Sequence, residues 1–254
     1  MPTRFRFSRA RRDMIAPLLL AALLAACGGS GESPAGDRAM TGAASPAATP
    51  AATVDTNWVP LFDGSTLAGW HNFKNDGQPV QGWSARDSAI VRTGAGGDLV
   101  TDKSYANFEL ELEWKVQKGG NSGIFFRIDP TANVTYLSAP EMQVLDDATH
   151  KDGGDRLTSA GANYALHPAP AGAARPVGEW NAVRLIAIGN HVEHWLNGQQ
   201  IVSYEIGSPD WEQRRAASKF AKEAAYGRTT RGLIGLQDHG DTVWYRNVRI
   251  RERP

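Results

Sequence analysis

The chain has 254 residues, with 27 basic and 27 acidic side chains and a formal net charge of zero, so it has no basic field of the kind nucleic-acid binding requires. A single cysteine excludes an internal disulfide framework and paired-thiol redox or metal motifs. All eight tryptophans lie beyond residue 57; exposed rings would suit the faces of sugars, although general burial trends assign at least half of them to a core.

Residues 1–27 have the layout of an export signal. Arg4, Arg6, Arg9, Arg11 and Arg12 form a basic start, and Ile15 to Ala26 is an apolar run too short to span a membrane comfortably. The run ends in Leu24-Ala25-Ala26-Cys27, which resembles the bacterial lipobox, in which the cysteine is lipidated and becomes the new N-terminus. The competing reading is an ordinary signal peptide with an incidental cysteine. Gly28, and not Asp, follows Cys27. By resemblance to lipoproteins of two-membrane bacteria, that implies a cell-envelope lipoprotein of the outer membrane, facing the periplasm or the outside. Residues 28–56 are rich in Gly, Ser, Ala, Pro and Thr and lack the apolar content that offsets ordering entropy. They are expected to be a disordered tether, followed by one all-β domain over 57–254.

Within that domain, Trp70–Phe73 predicts a short strand, and 83–86 with 89–92 predicts a strand pair across a polar turn. Gly94–Gly97 is too irregular, and lacks a following helix, to be a phosphate-binding loop. Phe108 to Val116 alternates strictly, with apolar even positions and Glu or Lys at the odd ones, which predicts a half-buried strand with a solvated charged face. Gly119–Gly123 turns the chain and 124–128 returns, so 108–128 is expected to be a long antiparallel hairpin. In the strand over 140–147, Glu141 and Gln143 share one face while Met142 and Val144 share the other. Residues 148–176 form a long Ala/Gly/Pro-rich loop, functional or disordered. A strand through 183–187 precedes a hairpin of 192–196 with 201–204 across Asn197-Gly198. One helix is expected over 211–225, starting at Ser208-Pro209-Asp210. Two last strands, 232–237 and 243–250, flank Asp238-His239-Gly240-Asp241, a turn that carries more chemistry than a hairpin needs. Strand after strand with one minor helix predicts a β-sandwich.

The segments Leu61-Phe62-Asp63-Gly64, Asn121-Ser122-Gly123-Ile124-Phe125-Phe126-Arg127, Pro140-Glu141-Met142-Gln143-Val144-Leu145-Asp146, Gly178-Glu179-Trp180-Asn181, His194-Trp195-Leu196-Asn197-Gly198, Ser218-Lys219-Phe220 and Gly235-Leu236-Gln237-Asp238-His239-Gly240 resemble, in that order, the 3-keto-disaccharide hydrolase domain family. The resemblance covers essentially all of 57–252. It implies an all-β concanavalin A-like jelly-roll of two curved antiparallel sheets, with ligands on the concave face. It also implies carbohydrate substrates already oxidised to a ketone at sugar carbon 3, and hence a functionally linked sugar 3-oxidoreductase.

A ketone at C3 acidifies the C2 hydrogen. A base can remove that hydrogen, the C1 leaving group then departs by elimination, and water adds back. Such a site needs a base of near-neutral pKa, donors or a cation on the C3 oxygen, and an acid for the leaving group. Glu141 heads the base candidates and His239 is the second. Arg127 is expected to hold the enediolate oxygen, with Gly123 and Phe125 on its strand leaving room for sugar. Gln143 and Gln237 would orient hydroxyls, Trp180 or Trp195 would stack on a ring, and His194 and Asp238 are further polar candidates. The competing readings are structural. Arg127 and Glu141 could be an ion pair between strands, Asp238 a turn cap, Asn121 and Asn197 turn residues, and His194 a satisfied sheet histidine. Arg246-Asn247 interrupts the apolar alternation and predicts a bulge. Glu141, His239 and Asp238 could together hold a divalent metal, but no tight ligand spacing supports one and no cofactor is assigned. The non-enzymatic alternative is a carbohydrate-binding jelly-roll module on a lipid tether. Convergence of Arg127, Glu141 and His239 would separate the two, since a lectin needs no base.

Overall fold

The computed structural model describes residues 57–254. The expected export signal, the lipidation site Cys27 and the tether therefore lie outside the described residues. Thirteen strands and one α-helix are described: β1 (Val59–Pro60), β2 (Trp70–Asn72), β3 (Trp83–Arg86), β4 (Ala89–Arg92), β5 (Leu99–Thr101), β6 (Phe108–Val116), β7 (Asn121–Ile128), β8 (Glu141–Leu145), β9 (Asn181–Ile188), β10 (His191–Leu196), β11 (Gln199–Glu205), α1 (Pro209–Ala217), β12 (Leu233–Leu236) and β13 (Val243–Glu252). An eight-stranded sheet runs β11-β10-β9-β6-β13-β4-β3, with β1 also paired to β13. A five-stranded sheet runs β2-β5-β12-β7-β8. Every strand pairing is antiparallel. This is the expected two-sheet jelly-roll sandwich with one minor helix.

The alternation in β6 turns Phe108, Leu110, Leu112, Trp114 and Val116 into the core. They meet Ile124, Phe126, Met142, Val144, Ile234 and Leu236 from the five-stranded sheet. Each large apolar side chain so buried contributes about 1.5–3 kcal/mol, which explains why strict alternation is kept here. The outward Glu row is less solvated than expected. Glu109 pairs with Arg184, Arg251 and Arg253, Glu111 with Arg249, and Glu113 with Arg246. The three guanidinium groups around Glu109 bury it.

Two expected hairpins are not hairpins. β6 pairs with β9 and β13 in the large sheet, whereas β7 pairs with β8 and β12 in the small one. The Gly-rich stretch after Val116 thus carries the chain from one sheet to the other. The same holds for 237–242, because β12 and β13 lie in different sheets. The two crossings run side by side. Gln117 N–H donates to Thr242 O at 3.1 Å, and Asp241 accepts from Asn121 N–H at 3.1 Å and from the Gln117 amide at 3.2 Å.

The turns at Asp87-Ser88 and Asn197-Gly198 form as predicted, with positive φ at all four residues. A register shift between Arg246 and Arg249, with Asn247 at φ 53°, is the predicted bulge; it keeps both Tyr245 and Val248 in the core. The helix is shorter than expected. Ser208 Oγ accepts from Trp211 N–H at its start, but Ser218 Oγ accepts from Phe220 N–H at 3.1 Å and turns the chain away after Ala217. The long segment 148–176 is fastened along β8. Gln143 N–H donates to Ala162 O, Gly161 N–H to Gln143 O and Tyr164 N–H to Glu141 O, at 2.8–3.0 Å.

Candidate active site

β8 points Met142 and Val144 into the core and Glu141 and Gln143 to the opposite face, which is turned away from the large sheet. On the neighbouring β7, Gly123 stands opposite Gln143 and Phe125 opposite Glu141. A Cβ built on Gly123 would overlap the Glu141 carboxylate, so only glycine lets that side chain lie across β7. Asn121 opens the same face of β7. Gln237 follows β12, its N–H bonded to Gly123 O at 2.9 Å, and His239 follows it in the crossing. Lys219 comes from the turn after α1, Tyr164 from the segment along β8, and Tyr136 from a 3-10 turn over Thr135–Leu137. Together these side chains line a cavity of about 160 Å³.

Glu141 is 4% exposed, and its carboxylate accepts no hydrogen bond from any described residue. Burial pushes its carboxyl up to about 8; the Lys219 ammonium opposes this, and Asp98 adds to it. Lys219 is shifted the other way, downward, by burial, with Glu141 opposing. Its Nζ lies 4.1 Å from the centre of the Tyr164 ring. Gln143 Oε1 and Nε2, Gln237 Oε1 and Asn121 Oδ1 are buried with no hydrogen-bond partner among the described residues. A buried polar group left unpaired costs about 1–3 kcal/mol. Three such amides converging on one cavity are a cost that bound hydroxyl groups would remove. A second cavity of about 360 Å³ adjoins the first and shares Tyr136, Gln237 and His239 with it.

Of the residues expected here, Glu141, Gln143, Gln237 and His239 are brought together, and the others are not. Arg127 sits in a bulge at φ 54°, where the β7–β12 register shifts, and its Nε and Nη2 both donate to Ala106 O at 3.1 and 2.9 Å. The bulge breaks the alternation that would have placed it beside Glu141, and no ion pair joins the two. His194 is fully buried between Gly161 O at 2.9 Å and the Tyr204 hydroxyl at 3.1 Å, and burial lowers its pKa to about 4. It is a neutral core histidine. Asp238 is held by Arg92 and by the N–H groups of Gly96 and Gly97, so its carboxylate fastens the turn and is not available to a sugar. Trp180 packs under Lys115 and Arg246, and Trp195 donates to Glu193 beside a groove on the large sheet; neither reaches the Glu141 cavity. The trio of Glu141, His239 and Asp238 is not assembled, and among the described residues no group of three or more His, Cys, Asp or Glu side chains is gathered as a metal site.

Lys219, Tyr164, Tyr136 and Asn121 were missed by sequence reasoning. Asn121 follows Gly119-Gly120 and reads as a turn former. The other three come from segments without strand periodicity. The available signal was Ser218-Lys219-Phe220, one of the segments that carry the family resemblance.

A carboxyl held near neutrality beside an ammonium group, among unsatisfied amides, is equipment for moving a proton on a bound polyol. The fold and site together define a β-sandwich that presents a polar cavity with one buried carboxyl and one ammonium group. Residues 57–251 match the model of the 3-keto-alpha-glucoside-1,2-lyase-like domain family. The chain is 34% identical to a 3-keto-disaccharide hydrolase of Bacteroides thetaiotaomicron over 226 residues, which span 76% of this chain and 78% of that one. A crystal structure of a candidate glycosyl hydrolase from Parabacteroides distasonis superposes with a TM-score of 0.73 at 34% identity, covering 78% of this chain and 94% of that one. A second from the same organism gives 0.62 at 29% identity, covering 77% and 99%. The chain belongs to this family of hydrolases.

Proposed function

We propose that the protein cleaves 3-keto-glycosides by removing the C2 proton, eliminating the C1 substituent and adding water. The observation that carries this reading is Glu141: a buried carboxyl, pushed up to about 8, with its oxygens free of protein donors and three unpartnered amides around it. An ordinary glycosidase places two carboxylates about the glycosidic bond. Here the cavity is lined by one carboxylate and one ammonium.

Ionised Glu141 takes the C2 proton, and the C2–H electrons form the C2–C3 enediolate. Its charge gathers on the C3 oxygen, where Lys219 takes the role expected of Arg127. The enediolate collapses, the C1–O bond breaks, and the departing oxygen takes a proton from His239 at the rim. Water then adds its oxygen to C1 and gives up one proton to His239, restoring it, while Glu141 returns its proton to C2. The sum is glycoside plus water giving 3-keto sugar plus alcohol. Gln143, Gln237 and Asn121 orient the ring hydroxyls. The substrate ketone requires a C3-oxidising enzyme upstream. Cys27 and its surroundings support an outer-membrane lipid anchor for this activity, on sequence grounds alone.

The test is incubation with 3-keto-trehalose and with unoxidised trehalose. Release of sugar from the ketone alone is expected. Binding of the ketone without cleavage would favour the carbohydrate-binding module, and equal cleavage of both sugars would contradict the elimination route.

A further inference from the structure

The two adjoining cavities differ in what they offer a ligand. In the smaller one, buried amide atoms lack partners. Gln237 and His239 are common to both, but the polar groups that line the larger one alone are mostly spoken for. Asp98 accepts from Thr135 Oγ1 and from Asp238 N–H. Asp238 is taken by Arg92, Gly96 and Gly97, and Lys74 Nζ donates to Pro130 O at 2.8 Å. Asn133 is exposed at the edge. Away from the shared Gln237 and His239, what remains free toward this space is mainly carbon: the rings of Phe73 and Tyr136 and the branched side chain of Val134. Tyr136 is 45% exposed, an area that a ligand could cover.

Resting on the reading of the Glu141 cavity as the ketosugar pocket, we propose that the Phe73–Val134–Tyr136 cavity receives the leaving group and selects one with an apolar, aromatic face over a second sugar. Three features of the two cavities support this. The cavities meet at His239, the residue placed to protonate the departing oxygen, so a glycosidic bond lying across the junction reaches the acid. The larger volume lies on the leaving-group side, which allows a group at least as bulky as the sugar. A second sugar can lay a C–H face on these rings, but beyond Gln237 and His239 its hydroxyls meet few free partners, and it would lose part of its hydrogen bonding to water. An aromatic ring would bury carbon against Phe73 and Tyr136 at no such cost.

The experiment compares kcat/KM for three α-linked 3-keto-glucosides: methyl, 2-phenylethyl and the disaccharide 3-keto-trehalose. The methyl and phenylethyl leaving groups are both alkyl alcohols, so leaving-group acidity does not decide between them. The phenylethyl compound is expected to exceed both others by about tenfold, equivalent to about 1.4 kcal/mol. Phe73→Ala and Val134→Asn should each lower the phenylethyl-to-methyl ratio by about fivefold or more; Val134 provides the second probe should Phe73→Ala misfold. The proposal is overturned if the disaccharide is preferred, or if both variants scale all three substrates equally. Absence of cleavage for all three would overturn the ketosugar reading itself, and this proposal with it.

Discussion

Glu141 keeps its proton near neutrality because its carboxylate would be ionised in a buried place without donors, with only the Lys219 ammonium to offset that cost. As a base it works when ionised, so kcat/KM should rise with pH along a limb centred near 8. Lys219→Met removes the cation that favours the ionised form. The limb should move to higher pH, and the plateau should fall because the C3 oxygen also loses its partner. A limb that stays in place in the variant would show that Lys219 does not act on Glu141. The same shift affects stability, with a definite sign. The folded-state value lies above the ordinary 4.5, so the stability linked to this proton is present in full below about 4.5 and is lost as pH rises through about 8. Glu141→Gln is therefore expected to raise Tm by a few degrees at about pH 9 and to change it much less at about pH 5, as read by thermal melts. Glu141 and Gln143 were legible as a pair because Met142 and Val144 alternate with them. His194 was legible as core by the same rule, since it shares parity with Val192 and Leu196. Its polarity argued for a site, but its position argued for burial, and position decided.

β7 shows where strand periodicity stops being informative. All eight of its residues are buried, so neither face is marked by polarity, and a bulge at Arg127 reverses the parity within it. Arg127 could not be placed from sequence for that reason. The crossings at 117–120 and 237–242 were misread for another: a short Gly- or Asp-bearing link between two strands fits a hairpin and a change of sheet equally well. The clue was composition. A strand apolar on both faces, as in 124–126, is a central strand covered on two sides, while β6, which precedes it in the chain, is charged on one side. The Asp87-Ser88 and Asn197-Gly198 hairpins were legible because their turns need positive φ and their residues tolerate it. Gly123 gives the element-scale prediction. Gly123→Ala places a methyl where the Glu141 carboxylate lies. Because Glu141 is buried, displacing it should cost at least about tenfold in kcat while the circular dichroism spectrum is retained. Wild-type kcat in Gly123→Ala would mean that Glu141 does not act from this position.

On the scale of the molecule, the large sheet supplies most of the core and a face of Arg–Glu pairs, and the small sheet presents the Glu141 cavity on its outer surface. The sandwich was legible from turn punctuation and alternation. The pocket's walls were legible only in part, because Tyr136, Tyr164 and Lys219 come from irregular segments whose placement depends on tertiary contacts along β8 and after α1. The N-terminal sequence carries its own prediction: Cys27→Ser should move the protein from the membrane fraction to the soluble fraction of cells that process lipoproteins, and an unchanged distribution would contradict lipid anchoring. The most direct test of the catalytic account is proton NMR of wild-type protein and Glu141→Gln acting on methyl 3-keto-α-glucoside in deuterium oxide, against an enzyme-free control. The account predicts that the wild type releases methanol together with a 3-keto sugar deuterated at C2, and that Glu141→Gln releases neither at a measurable rate. Methanol release by Glu141→Gln at the wild-type rate would contradict it.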